Sequence, residues 1–403
     1  MGLFREIPPT AGFPIHAMDF LSVLQPGSLE QDFQNFLGLP FAQITCSGTA
    51  ALYLILETLK DFSSKKTVII PSFVCPLLAL AIVRAGLKIE VCDVQAERFD
   101  FDWEQLERIC AKNNDILAMI TVHLGGLPMD MEMAQRIAKQ YNIYLIEDCA
   151  QAFGAEYKGR KVGTFGDFSF FSLSPGKGLT ICEGGVLATS KKEYAPVVAE
   201  KFHRLVKGNF LSESLKILKL FGYGVFYRPS LFWFVFGLPQ SFWNLMGDPV
   251  RAMGEHFSIN FPTHRVSKFR KSLGHAFFYH LEPEIAQQRK KAQYYLEHLE
   301  GKGEFQIIKE LPQSRATYPY VTLLFRSSEK RKKVMKALVN RGLGASVIYV
   351  HAITDYEYLK GLVPDGEYPH GRRLVDYALT LSTNVFLVQK DLAAIISLVT
   401  GTV

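Results

Sequence analysis

Between residues 43 and 190, short continuous apolar runs alternate with segments whose apolar residues recur every three or four positions. The runs at 43–46, 67–70, 89–94, 116–122, 143–146 and 167–172 lack the in-out alternation of a half-exposed strand, the pattern of strands covered on both faces of a parallel sheet. Segments 49–60, 77–85, 103–112 and 131–140 carry the helical period, the first through Leu52, Leu56 and Leu59. A β-α-β-α succession calls for right-handed crossovers, so an α/β domain is expected. The pattern then changes. Residues 220–247 are dense in aromatic side chains, and the stretch 229–247 carries no charge. It is barely long enough to span a bilayer and is broken by Pro239, Gln240 and Asn244, which argues against a transmembrane helix. Two readings stay open: helices buried in a subunit interface, or an element touching a membrane surface beside Lys201, Arg204, Lys207, Lys216 and Lys219. Beyond it, a long helix at 265–300, strands at 320–325 and 345–349 and helices at 328–341 and 390–399 predict a smaller α+β domain. The expected division is 1–204, a large α/β domain; 205–262, an aromatic-rich insertion packed on it; and 263–403, a connecting helix and the small domain.

Composition narrows this picture only slightly. With 403 residues, 48% apolar and 21% charged, the chain has room for two or three domains of ordinary globular character. Disorder, collagen-like repeats and a dominant coiled coil are excluded. A net charge of +6 is too mild to indicate nucleic acid, and no nucleic-acid partner is expected. The six cysteines form no C-x-x-C pair and have no histidine cluster at zinc spacing, so reduced thiols and no metal are expected. The start MGLFREIPPTAG has no apolar run of signal-peptide length and puts Glu6 where a myristoylation site needs Ser or Thr. The expected location is the cytoplasm, with a peripheral contact at the inner face of the membrane through 220–247 as the open alternative.

Three short segments could carry chemistry. Asp148 ends a predicted strand in IEDCAQAFGA, where ligands bind in parallel sheets; it could equally cap a helix. Lys177, in SLSPGKGLT, stands between Gly176 and Gly178, which let a ligand approach closely; alone it would read as a solvated turn residue. TCSGTAA, residues 45–51, runs from strand to helix, and a helix start with free N–H groups binds anions. A P-loop is excluded, because Phe171 stands at its first glycine position and Gly178 at its Ser/Thr position. Together the three make up what pyridoxal phosphate requires: a lysine for covalent attachment, a carboxylate for the pyridinium nitrogen and a helix start for the phosphate.

The chain resembles the DegT/DnrJ/EryC1/StrS aminotransferases, the sugar aminotransferases of fold type I. The resemblance starts at LEQDFQNFLGLPFAQITCSGTAALYLIL and runs through VIIPSFVCPLLALAIVRAGLKIEVCDV. It is most specific in VHLGGLPMDM, LIEDCAQAFGAEYKGRKVGTFGDFSFFSLSPGKG and EGGVLATS, and resumes at HRVSKFRKSLG, RGLGASVIYVHAITDYEYL and LTLSTNVFL. It implies a pyridoxal phosphate transferase with a mostly parallel central sheet in a large domain, a smaller α+β C-terminal domain and a homodimer. Lys177 would be the cofactor-binding lysine and proton shuttle, and Asp148 would face the pyridine nitrogen. Gln151 would meet the phenolic oxygen, Gly48 and Thr49 would hold the phosphate with Ser172 adding a hydroxyl, and Ala150 would pack on the ring. The implied reaction moves an amino group, from glutamate, to a nucleotide-linked keto-sugar in surface polysaccharide synthesis. Departures are Cys75 where the family has a ring-stacking aromatic, Thr263-His264-Arg265 for its N-Y-R phrase, and Ala352-Ile353-Thr354 for P-L-H. His123 and Phe73 are candidates to cover the ring, and Asn260 or Thr263 to reach a partner's phosphate. The insertion exceeds the family spacing, which opens an alternative: a drifted, membrane-associated scaffold in polysaccharide assembly.

Overall fold

The computed structural model describes residues 5–20, 23 and 26–401; the first four residues of the N-terminal segment lie outside them. The first half holds strands β1 (Phe41–Thr45), β2 (Thr67–Pro71), β3 (Lys88–Cys92), β4 (Ile116–Val122), β5 (Tyr144–Asp148), β6 (Glu156–Tyr157), β7 (Arg160–Lys161), β8 (Phe168–Ser172) and β9 (Gly185–Thr189). Seven of them form one sheet in the order β1-β9-β8-β5-β4-β2-β3. Six run parallel, and β9 alone runs against its neighbours β1 and β8. Every residue of β2, β4 and β9 is buried, which is why their apolar runs are continuous. The crossover helices Gly48–Leu59, Trp103–Lys112 and Met131–Tyr141 start at Ser47, Asp102 and Asp130, whose side chains accept N–H bonds from the first turn. The helix Pro76–Arg84 starts on a proline instead, preset in φ and with no N–H to leave unsatisfied.

The second half adds β10 (Phe305–Ile308), β11 (Ser314–Arg315), β12 (Tyr320–Phe325), β13 (Ala345–Ser346) and β14 (Ala378–Ser382). Four of these form an antiparallel sheet, β10-β12-β14-β13, while β11 pairs with β6 and so ties the two halves together. Two further ties matter for the site. The Asp93 carboxylate, just past β3, accepts the Ser72 hydroxyl and the N–H groups of His370 and Gly371, capping the helix Pro369–Tyr377 of the second half. The N-terminal segment lies along the second sheet, with Ile7 N–H on the Gly342 carbonyl, Ser382 Oγ on that of Pro8 and Arg5 paired with Asp391 at 2.7 Å.

Several elements differ from expectation. The helix foreseen over 265–300 is two helices, Lys268–Phe278 and Leu281–Leu299. Pro283 cannot give an N–H to the carbonyl four residues back and its ring crowds that turn, so a single helix cannot run through. The strand foreseen at 345–349 pairs only over Ala345–Ser346. The helix Leu29–Leu37 and the strands β9 and β14 were not apparent from periodicity. In the segment beyond 205, helices span Phe210–Phe226, Phe232–Val235, Gly237–Leu245 and Pro249–Ala252. None of the helices among the described residues is long and apolar enough to cross a membrane.

Candidate functional site

The C-terminal ends of β1, β2, β4, β5 and β8 open on one cavity of about 520 Å³, the place where parallel sheets bind ligands. Ser47, Gly48 and Thr49 enter it after β1, Cys75 after β2, His123 after β4, Asp148, Ala150 and Gln151 from β5, and Ser172, Ser174 and Lys177 from β8. All seven residues singled out from the sequence (Gly48, Thr49, Asp148, Ala150, Gln151, Ser172 and Lys177) therefore line the same space. The second half closes it with Tyr320, Ser346–Tyr349 and Thr380, and the C-terminal part of the insertion with Met253, Glu255 and Phe257. Two larger surface grooves, of about 780 and 650 Å³, lie elsewhere, the second at the opposite ends of the strands around Tyr144 and Asp167.

Local geometry explains how the backbone opens toward this space. Ser47 Oγ takes the Ala50 N–H at 3.0 Å, and the Ser47 carbonyl takes that of Ala51. The first-turn N–H groups of Gly48 and Thr49 are those an α-helix cannot satisfy internally. Close packing against β9 sets this turn: a Cβ on Gly185 would stand 2.3 Å from the Ser47 carbonyl carbon and oxygen and 2.4 Å from Gly48 N. Gly176, immediately before Lys177, has φ +78, a left-handed conformation that favours glycine. Lys177 Nζ makes no hydrogen bond or ion pair among the described residues, and burial lowers its ammonium below the usual lysine value, against the pull of Cys75 and Asp148. Asp148 Oδ1 accepts the Ala150 N–H at 2.9 Å, and burial pushes its carboxyl up to about 6.

Gln151 is oriented without ambiguity. Its Oε1 accepts the obligate Gly125 N–H at 2.9 Å and the Tyr320 hydroxyl at 2.5 Å, which leaves the Nε2 hydrogens free among the described residues. Ser172 and Ser174 share a hydroxyl bond at 3.2 Å. His123 has both ring nitrogens engaged: Nδ1 accepts the Met129 N–H, which places the proton on Nε2, facing Glu147 at 3.2 Å. Glu147 is held in turn by the N–H groups of Gly163, Phe165 and Gly166. Of the two side chains weighed for covering a ring, His123 lines the cavity, whereas Phe73 packs into the core against Tyr349. Burial pushes the Cys75 thiol up to about 12, so it stands as a neutral wall rather than a thiolate. Asn260, Thr263 and Arg265 lie outside this cavity; Arg265 reaches the Val206 carbonyl and His264 is buried on Glu213.

Sequence reasoning missed Ser174, Tyr320 and Glu255. Ser174 stood in the quoted SLSPGKGLT phrase, but neither Tyr320 nor Glu255 carries a local signal. Glu255 is 7% exposed, and its Oε2 takes the Tyr356 hydroxyl at 2.5 Å and the Val350 N–H at 3.1 Å. Its Oε1 has no partner among the described residues, and burial raises the carboxyl above its ordinary value.

A seven-stranded sheet with one reversed strand, a smaller α+β half and a lysine-bearing cavity at the strand ends define a pyridoxal-phosphate-dependent transferase of fold type I. The sequence model of the DegT/DnrJ/EryC1/StrS aminotransferase family matches residues 25–214 and 247–400, and the chain belongs to that family of pyridoxal-phosphate-dependent aminotransferases. An uncharacterised protein of Methanocaldococcus jannaschii is 28% identical over 360 residues, covering 86% of this chain and 82% of its own. GDP-perosamine synthase of Escherichia coli O157:H7 is 35% identical over 179 residues, 43% of this chain and 48% of its own, so the match spans about half of that relative. Among solved structures, Helicobacter pylori PseC, an aminotransferase involved in the biosynthesis of pseudoaminic acid, superposes with a TM-score of 0.77 at 19% identity over 99% of both chains. At that identity the likeness is one of fold.

Proposed function

We propose that this chain moves an amino group from glutamate to the keto group of a nucleotide-linked sugar in surface polysaccharide synthesis. One observation carries the reading: the Lys177 ammonium, unpaired among the described residues, opens into a cavity that also holds the Asp148 carboxylate, the Gln151 Nε2 left free among those residues and a helix start. These groups fit pyridoxal phosphate. The Gly48 and Thr49 N–H groups and the Ser172 hydroxyl would hold its phosphate, Gln151 Nε2 its phenolic oxygen, Asp148 its ring nitrogen and Lys177 its aldehyde carbon, with Ala150 against the ring. The cofactor, when bound, supplies the sink for the electrons left at the donor's α-carbon. Asp148 would favour the protonated ring nitrogen, because an opposite charge in contact favours the charged form. Lys177, with its pKa lowered, holds more free base at neutral pH than an exposed lysine and takes and returns the substrate proton at Nζ. Glu255 Oε1 and Tyr349 line the wall that an acceptor's hydroxyls would meet.

The reading includes a cytoplasmic homodimer in which Asn260 or Arg265, both exposed, serves the second copy's site. A second reading, a membrane-associated scaffold with a drifted site, draws on the apolar faces of the insertion and on Ala352-Ile353-Thr354 in the small domain. A visible absorption spectrum decides between them. Wild type is expected to show the band of lysine-bound cofactor and to lose it on adding glutamate. Lys177→Ala is expected to lack the band and to lose at least about 10²–10⁴-fold in turnover. Absence of the band in wild type overturns the aminotransferase reading.

A further inference from the structure

The helix Phe210–Phe226 turns its apolar side outward. Leu211, Leu215, Leu218 and Val225 are 70, 50, 67 and 56% exposed. Gly222 lies between them on the same stripe and faces open space. The spacing of these five positions, 4-3-4-3, puts them on one helix face. The opposite face is the anchored one: Glu213 and Leu220 are buried, and Tyr227 lies beyond them. The next helices repeat the arrangement with Val235, Leu238, Phe242 and Leu245, all exposed. Apolar stripes of this extent are rare on the surface of a monomer and mark something that covers them.

Two observations say what does. First, the family's sequence model matches up to residue 214 and resumes at 247, so most of this surface is built by a stretch outside the common family framework. An assembly shared across the family does not need it. Second, the surface is complementary to negative charge and not to itself. Residues 207–228 hold Lys207, Lys216, Lys219 and Arg228 against Glu213; Lys216 is paired with Glu183 and largely buried, and Arg228 donates to the Tyr227 and Ile15 carbonyls, so Lys207 and Lys219 carry the outward charge. Glu213 is consumed internally by Arg270 and His264, and the next acid, Asp248, pairs with Arg251. Lys207 and Lys219 are exposed and make no ion pair among the described residues. A second copy docked on this face would bring Lys207 and Lys219, whereas the acids beside them, Glu183, Glu213 and Asp248, are each already paired among the described residues.

We propose that this face lies on an anionic lipid bilayer, with the leucine stripe in the headgroup–acyl boundary and the flanking lysines at the phosphates. No described helix is long and apolar enough to cross, so the element lies on the membrane. This holds the cavity, which the adjoining Met253, Glu255 and Phe257 help to line, next to the bilayer surface. The proposal does not depend on the reaction argued above.

The test is flotation of the full, cofactor-loaded chain with vesicles of phosphatidylcholine alone and of equal parts phosphatidylcholine and phosphatidylglycerol. Binding to the mixed vesicles is expected, weakened on the order of tenfold with phosphatidylcholine alone, in Lys219→Glu, or at high salt. Leu215→Ser combined with Leu218→Ser is expected to weaken it by at least as much while keeping the wild-type cofactor spectrum. If the chain stays unbound with both vesicles, the proposal falls. It also falls if the leucine variant binds vesicles as wild type does, or if that variant turns a dimer into a monomer in sedimentation, which would make this face a contact between copies.

Discussion

Asp148 shows how one side chain is tuned against its own stability. Burial raises its carboxyl to about 6, opposed by the Ala150 N–H and by Lys177. A carboxyl raised above its unfolded value binds more protons when folded, so its contribution is favourable at low pH and is lost as the pH rises from about 4 through 6. Asp148→Asn is therefore expected to stabilise the cofactor-free protein by up to about 3 kcal/mol well above pH 6, and by less toward pH 4. Thermal unfolding across that range checks it, and the same variant is expected to bind pyridoxal phosphate more weakly. Asp148 and Lys177 were legible in the sequence, one at a strand end and the other in a glycine-flanked loop, whereas Gln151 was legible only through the family resemblance. Tyr320 was not: it orients Gln151 from 169 residues away, and nothing in the phrase YPYVTLLF reveals that.

At the level of elements, one carboxylate decides how the insertion is fixed. Glu213, on the buried face of Phe210–Phe226, accepts Arg270 Nε at 3.1 Å, a second Arg270 nitrogen, His264 Nε2 at 3.0 Å and the Ser267 N–H at 2.7 Å. Burial alone would push this carboxyl up, but the bonds from His264 and Arg270 outweigh it and hold it well below the usual carboxylate range. Glu213→Ala leaves the Arg270 side chain, 0% exposed, as a buried charge without its carboxylate. The expected cost is about 3–5 kcal/mol, seen as a lower unfolding temperature. A depressed carboxyl stabilises above its unfolded pKa of about 4.5, so the loss should be largest near neutral pH and shrink in acid. The three residues come from a helix and a loop about 50 positions on, and nothing local to 210–226 discloses which side of it is buried.

For the whole molecule, the N-terminal segment is the strap. Arg5 pairs with Asp391, Glu6 N–H bonds the Pro229 carbonyl and Ile7 N–H that of Gly342, so the segment joins the insertion to the second half. Burial pushes the Glu6 carboxyl up to about 7, and its Oε2 is buried without a hydrogen-bond partner among the described residues. With its folded pKa above the unfolded one, Glu6 costs stability progressively from about pH 4.5 to 7. Glu6→Gln is expected to be more stable than wild type by roughly 1–2 kcal/mol above pH 7, allowing for partial solvent contact, and nearly equal to it at pH 4.5. Paired unfolding curves at the two ends of that range check it.

The amino-acid sequence determined the alternation of strands and helices, because strands covered on both faces must be apolar throughout and their helices must show a 3.6-residue period. It also named the candidate site residues, Asp148, Lys177 and the 45–51 segment from their local setting and the others through the family resemblance, and the parallel sheet delivers these strand ends to the same edge. Tertiary structure decided the rest. The Gly185 approach that shapes the Ser47–Gly48 turn, the Tyr320 and Glu255 walls and the outward turn of the leucine stripe all depend on contacts between segments far apart in the chain. Hydrophobic periodicity records that a face is apolar; whether that face meets a core, another chain or lipid is settled by what the remainder of the fold leaves beside it.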